Sequence, residues 1–370
     1  MSEYQYYEFQ TIDRLLTEEE QGEVEGLSSH IDVTASQAVV TYSYGDFKHD
    51  PRQVLSRYFD AFLYLANWGT RKLMFRFPKG LVELEAVELY GREGLVKFSE
   101  AGRYQILEIE LDEDGGQEWI EGEGVLSSLI HLRNSIVEGD YRCLYLAWLK
   151  ASALDDPDTV EQEHEPPVPA GLQKLTPALQ QFAQFFEIDP HLIQSAAMAS
   201  GAKPAEVSDN VLQQALTRLT RAECEAFLFR LVKGEAGLGL ALKHKLQGLV
   251  KAAPAPDSPR RRNVRQLVQA AQRLKRQEKQ RQAEAAEQRR IEELKQLAKR
   301  EAQTWQAVET LVQGYQAKAY AEAVSQLLKL RELAEFQNTP VDFEKRLKQL
   351  RERYQGRHAF IKRLEKAGLA

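Results

Sequence analysis

The sequence predicts an α+β amino-terminal domain followed by an all-α helical region with a long charged helix. Two observations carry this prediction. Aromatic and β-branched runs alternate with helix-start signals over the first 150 residues, whereas only helical spacing remains from Leu172 onward. Charge is also sorted along the chain. Residues 1–170 hold 33 acidic against 14 basic side chains, a balance of −19, and residues 260–370 hold 26 basic against 14 acidic, a balance of +12. The formal net charge of −6 thus conceals an acidic head and a basic tail, an asymmetry that concerns partners and solubility rather than fold.

In chain order, residues 1–154 read as one α+β domain. Tyr4 to Phe9 is aromatic-rich and fits a strand. Thr17-Glu18-Glu19-Glu20 is a capping box that opens a helix to about Ser29. Ala38 to Tyr44 fits a second strand. Asp50-Pro51 supplies an N-cap with proline at the first helical position, and an apolar stripe then runs through Val54, Leu55, Tyr58, Phe59, Phe62 and Leu63 to a stop at Trp68-Gly69. Lys72 to Phe77 alternates as a third strand. Glu85–Tyr90, Leu95–Ser99 and Tyr104–Leu111 read as a meander, and Val125–Val137 and Tyr141–Lys150 return to helical spacing.

Residues 155–171 are acidic and proline-rich with almost nothing to bury, which predicts a linker. Thr176-Pro177, Asp189-Pro190 and the box Thr220-Arg221-Ala222-Glu223 start three helices of a bundle over 172–251. A second linker covers 252–259. Residues 260–315 contain no proline, so one continuous helix is expected, polar on every face from Lys275 to Arg290. A helical hairpin unit over 316–370 ends the chain.

No run reaches the roughly 18 apolar residues a membrane span needs, and the opening residues lack a basic and an apolar signal region, so a cytoplasmic protein is expected. Cys143 and Cys224 read as reduced thiols. The seven histidines include no i, i+4 pair and there is no CxxC, so neither a metal nor another cofactor is expected. His49-Asp50 reads as a residue before an N-cap, Gly234 to Gly239 as a turn between helices, and Asp112-Glu113-Asp114 as a solvated hairpin tip.

Two surfaces remain as candidates. Asp46, Asn67, Trp68, Thr70 and Arg71 fall where strand and helix exchange, and their polar groups can line a ligand or partner cleft. The competing assignment makes Trp68 core, Gly69 a helix C-cap, and Asn67 and Asp46 turn-bonding residues. Arg260, Arg261, Arg262, Arg265, Arg273, Lys275 and Arg276 form a basic run suited to phosphates, although glutamates interrupt its continuation and no aromatic side chain interleaves it for base stacking.

Tyr4-Gln5-Tyr6-Tyr7-Glu8-Phe9, Tyr44-Gly45-Asp46-Phe47, Ala66-Asn67-Trp68-Gly69-Thr70 and the charged helix near the carboxyl end resemble an uncharacterised bacterial family. The resemblance covers nearly the whole chain, brings no activity or catalytic residue with it, and points to a SWIM zinc-finger protein as a partner. The resulting expectation is a non-enzymatic cytosolic interaction or adaptor protein whose partner is another protein. A nucleic-acid-associated protein using the helix from Arg260, and an enzyme with its site in the α+β domain, are the alternatives.

Overall fold

The computed structural model describes residues 4–92, 95–112, 122–154, 164–202, 209–234, 237–250, 262–314 and 316–369. It divides into two compact units, Met1–Lys275 and Arg276–Ala370. In the first, β1 (Gln5–Gln10) precedes α1 (Glu18–Glu25), β2 (Ile31–Val33), β3 (Gln37–Tyr42), α2 (Pro51–Tyr58), β4 (Ala61–Ala66) and β5 (Arg71–Pro78). Then come α3 (Leu84–Glu88), β6 (Val96–Ala101), β7 (Tyr104–Leu111), α4 (Val125–Leu129), α5 (His131–Val137) and α6 (Arg142–Leu154). The strands form one seven-stranded sheet in the order β2-β3-β1-β4-β5-β7-β6, with every pairing antiparallel. The α+β head followed by a helical region is therefore present.

The starts read from the sequence work by the expected chemistry. Thr17 and Glu20 make the reciprocal capping box of α1, and Asp50 accepts from the Arg52 N–H ahead of α2. The expected long second helix instead stops at Tyr58. Phe59 turns extended, the Asp60 N–H donates to the Gln10 carbonyl at 2.9 Å, and the Arg76 N–H donates to the Asp60 carbonyl at 2.8 Å. These sheet bonds capture Ala61–Ala66 as a central strand buried on both faces, so its sequence shows no alternation. Gly69, expected as a helix C-cap, takes φ 115° in the turn joining β4 to β5. The expected strand at Glu85–Tyr90 is α3, because Val87 and Tyr90, three apart, are buried together.

Side chains alternate across β1. Tyr6, Glu8 and Gln10 face one side of the sheet, where Tyr6, Leu63, Phe75 and Ile109 pack with Leu126, Ile136, Leu144 and Trp148 of the helices. Gln5, Tyr7 and Phe9 face the other, where Tyr7, Phe9, Val40 and Phe62 pack with Val24 and Leu55 of α1 and α2. The helices α7 (Pro177–Phe185) and α8 (Pro190–Ala197) begin at Thr176-Pro177 and Asp189-Pro190 as expected. They do not stand in a separate bundle. Leu172, Leu179, Phe182 and Ala196 belong to the same core as the sheet.

The described end of the expected first linker is also packed. Glu165 is buried, and the Pro167 carbonyl accepts from the Tyr90 hydroxyl at 2.9 Å. The rest of that linker, and the whole of the second, lie outside the described residues. The first unit continues with α9 (Asp209–Leu216), α10 (Arg221–Val232) and α11 (Leu238–Val250), and closes on the first turns of α12 (Val264–Lys299). Val264 and Leu267 of α12 are fully buried in the sheet-facing core.

Two groups of buried charges pin this unit. Arg76 reaches Asp60 Oδ1 at 2.6 Å, while Asp60 Oδ2 accepts from the N–H groups of Ile12 and Asp13 at 2.6 and 2.9 Å. Arg133 grips Asp13 with two nitrogens at 3.0 and 2.8 Å and donates to the Arg76 carbonyl. Burial alone pushes the Asp60 carboxyl up. Arg76, Arg133 and the two backbone donors outweigh it and hold the group below its ordinary value. On the helix-covered face, Glu8 is fully buried, and the Tyr6 hydroxyl and the Gln10 and Gln37 amides donate to it at 3.0, 2.6 and 2.6 Å. Gly122 lies against this cluster, and a Cβ there would sit 2.2 Å from the Tyr6 ring. Gly122→Ala is expected to cost about 2 kcal/mol or more by overpacking, read as a lowered thermal midpoint.

The expected continuous helix over 260–315 is broken once. After 36 residues α12 ends at Lys299, Arg300 takes φ −122° and ψ 20°, and α13 (Glu301–Gln313) begins. From Lys275 to Arg290 every residue of α12 is exposed, as its composition predicts. Gln–Glu pairs at i, i+4, such as Gln296 with Glu292 at 2.9 Å, line its surface. In the second unit, α14 (Ala317–Phe336), α15 (Pro340–Arg353) and α16 (His358–Lys366) pack with α13 around Trp305, Val308, Leu327, Phe343, Phe360 and Leu364. No helix among the described residues is long and apolar enough to cross a membrane.

Candidate functional site

The sheet sets Arg71 apart from the rest of the patch expected from the sequence. Asn67 closes the β4–β5 turn, its side-chain oxygen accepting from the Tyr4 N–H at 3.0 Å. Trp68 is 41% exposed rather than core, because the turn carries it beyond the sheet. Its indole N–H donates to Thr70 Oγ1 at 3.0 Å, and Thr70 donates to Asp112 Oδ1 at 2.8 Å. Arg71 lies one residue further and so faces the opposite side, buried and paired with Glu187. Arg71 therefore does not line a cleft with Trp68 and Thr70.

Asp46 belongs to a polar row that sequence reading missed. Pairing register places Tyr7, Tyr64, Lys72 and Glu110 side by side across four strands. The Tyr7 and Tyr64 hydroxyls both donate to Gln5 Oε1, at 2.6 and 2.9 Å, and the Gln5 amide donates to Asp46 Oδ1 at 2.8 Å. Lys72 lies 3.3 Å from Glu108 and 3.0 Å from Glu110, and Arg52 lies 3.4 Å from Glu108. Burial first, then Tyr7 and the carboxylates of Asp46 and Asp112, push the Tyr64 hydroxyl above its ordinary range. Tyr7 is raised as well, again chiefly by burial. Both tyrosines therefore stay protonated at neutral pH and serve as donors that hold Gln5. The legible signal was alternation: Lys72, Glu108 and Glu110 stand at the polar positions of otherwise apolar strands.

The basic run is likewise divided. Arg260 and Arg261 lie outside the described residues. Arg262 is spent on Glu165, with its nitrogens 2.7 Å from each carboxylate oxygen and a third donating to the Ser195 carbonyl at 2.9 Å. It is a fastening for α12 rather than an open phosphate contact. The Tyr145 hydroxyl donates to the same carboxylate. Lys275 lies 3.4 Å from Asp189. Arg265, Arg273 and Arg276 are exposed.

In the second unit a groove of about 660 Å³ lies beside Leu294 and Leu297. Arg289, Arg300 and Lys329 line it together with Glu292, Glu293 and the Arg290–Glu332 pair, so opposite charges nearly balance. No group of three or more metal-ligating side chains occurs among the described residues. Burial, then Asp140, pushes the Cys143 thiol up to about 12, which leaves it unreactive.

Among the described residues, α10 brings four exposed large apolar side chains together on one helix. It is anchored at its start by the Thr220–Glu223 capping box and by Lys245 of α11, 2.9 Å from Glu223. Hydrogen bonding from Lys245, then from Thr220, holds the Glu223 carboxyl down to about 2. Beyond that anchor the helix buries no residue. Leu228, Phe229, Leu231 and Val232 are between 60% and 85% exposed. At about 100° per residue they cover an arc of roughly 160°, a patch of the kind that marks a contact surface. The sequence signal was available: Phe227-Leu228-Phe229 followed by Leu231-Val232 places apolar side chains over more of the circumference than one neighbouring helix can cover.

No family model, curated protein or solved structure matches this chain. The geometry of its own surfaces therefore carries the functional reading.

Proposed function

We propose that this chain is a non-enzymatic cytoplasmic adaptor that docks a protein partner on α10. The observation that supports the reading is the apolar arc of Leu228, Phe229, Leu231 and Val232 on a helix with no buried residue. Leaving such side chains in water forgoes on the order of 1.5–3 kcal/mol each, and a partner that covers them recovers part of that energy. The helix is fixed at one end by its capping box and Lys245, so it is a preformed surface, which lowers the ordering cost of binding.

The test uses the full chain and the double variant Leu228→Glu/Val232→Glu. Both positions are exposed, so folding is expected to change by no more than about 0.5 kcal/mol. The wild-type chain is expected to retain a protein from cell extract that the variant does not retain. That protein, once identified and purified, should rebind the wild-type chain alone, and the variant at least about tenfold more weakly. A bound protein that is indifferent to the double substitution overturns the assignment to α10. Absence of any retained protein overturns the docking role itself.

A further inference from the structure

The geometry points to a second recognition surface, independent of the docking role of α10. It is one face of α12, which lies in the major groove of duplex DNA through Arg273, Arg276 and Lys279. At about 100° per residue, Arg273 and Lys279 fall about 60° to either side of Arg276. All three residues are exposed, and none makes an ion pair among the described residues. Gln269 and Gln272 fall within about 40° of Arg276 and are exposed as well. The only carboxylate between Val264 and Ala283 is Glu278. It falls about 160° from Arg276, on the far side of the helix, where Gln282 donates to it at 3.1 Å. Lys275 is turned about 100° away and pairs with Asp189 at 3.4 Å. Val264, Leu267 and Ala271 also fall on the far side, about 120–180° from Arg276, and all three are buried. Packed side chains therefore back the start of α12, and its cations face outward.

Shape and charge together select the ligand. A helix with its side chains is about 10–12 Å across, and the major groove of B-form DNA is about 12 Å wide. A helix laid there meets phosphates on both walls, the two directions in which Arg273 and Lys279 diverge. Arg276 and the two glutamines then face the floor, where arginine and glutamine can pair with purine edges. From Lys275 to Arg290 every residue of α12 is exposed, so that stretch gives up no packing on entering a groove. Duplex RNA is disfavoured because its deep, narrow major groove excludes a helix. Single strands are disfavoured because no aromatic side chain stands on this face to stack against bases. An acidic protein is disfavoured because the face offers no apolar side chain larger than that of Ala283 for a partner to cover.

The test is fluorescence anisotropy of a labelled DNA duplex of two helical turns, about 21 base pairs, titrated with the full chain. Three phosphate contacts give a slope of about −2.7 for log affinity against log salt, so binding should weaken roughly fortyfold between about 50 and about 200 mM salt. Arg273→Gln/Arg276→Gln/Lys279→Gln should lower affinity at least about tenfold at the lower salt and flatten the slope by about one unit per residue. Arg281→Gln/Lys295→Gln/Lys299→Gln removes the same charge about 100–140° away around the helix and should keep the wild-type affinity and slope. All six positions are exposed, so a thermal midpoint unchanged in both variants separates lost contact from lost fold. No binding at the lower salt overturns the proposal. Equal losses in the two triple variants also overturn it, because net charge rather than this face would then govern binding. Equal or tighter binding of the separated single strand, or of an RNA duplex of the same sequence, overturns the placement in a DNA groove. None of these outcomes bears on α10, whose own double variant leaves α12 unchanged.

Discussion

Arg76→Met is expected to lower the stability of the first unit by about 3–5 kcal/mol, the cost of leaving a buried charge without its partner. Arg76 and Asp60 are almost wholly buried and 2.6 Å apart, and Arg133 donates to the Arg76 carbonyl, so the substitution strips one cation from a network with no solvent to replace it. The measurement is the midpoint of urea unfolding, followed by tyrosine and tryptophan signals. The pH dependence follows from the direction of the Asp60 shift. Its carboxyl is held below its ordinary value in the folded chain, so the stabilisation is present above the unfolded carboxyl's pKa and is lost as pH falls through the lower, folded one. The gap between wild type and Arg76→Met should therefore narrow below about pH 4. A gap that stays constant down to pH 2 would show that lost packing, rather than charge, sets the cost.

Glu165→Leu is expected to cost about 2–3 kcal/mol, less than a fully buried pair because the Arg262 side chain is 25% exposed. The location of the damage matters more than its size. Arg262 lies two residues before α12 begins, the Glu165 N–H donates to the Arg262 carbonyl at 2.8 Å, and Val264 and Leu267 insert into the core two and five residues after Arg262. Amide exchange over residues 264–271 should accelerate in this variant while that of β1 and β4 stays near wild type. Leu267→Ala should accelerate the same segment by emptying the core site that the pair holds in register. Unchanged exchange after Glu165→Leu would mean that apolar packing alone fastens the helix start.

The helix starts were legible because their chemistry is local. Thr17 with Glu20, Asp50 with Pro51, Thr176 with Pro177 and Thr220 with Glu223 each act within four residues. Ala61–Ala66 was misread as the end of a helix because a central strand buried on both faces has the same apolar density as a buried helix, and the bonds from Asp60 to Gln10 and Arg76 that decide it are distant in sequence. The acidic stretch ending in Glu165 reads as a linker until Arg262, 97 residues away, is placed beside it. The same distance hid the fate of the basic run. Arg71 and Trp68 were grouped by sequence proximity, but a strand sends neighbouring residues to opposite faces. The polar row and the apolar arc of α10 could have been found, the first from strand alternation and the second from the excess of large apolar residues on one helix.

The place of β1 in the sheet also bears on how the protein is made. Of the strands in this sheet it is synthesised first, yet its two neighbours are β3 and β4, so one of its edges stays open until Ala66 has followed. At translation rates of about 5–20 residues per second, roughly 3–12 seconds of synthesis separate the first strand from its second flank. During that interval the nascent segment exposes Tyr6, Tyr7 and Phe9 with nothing yet made to pair beside them on one side.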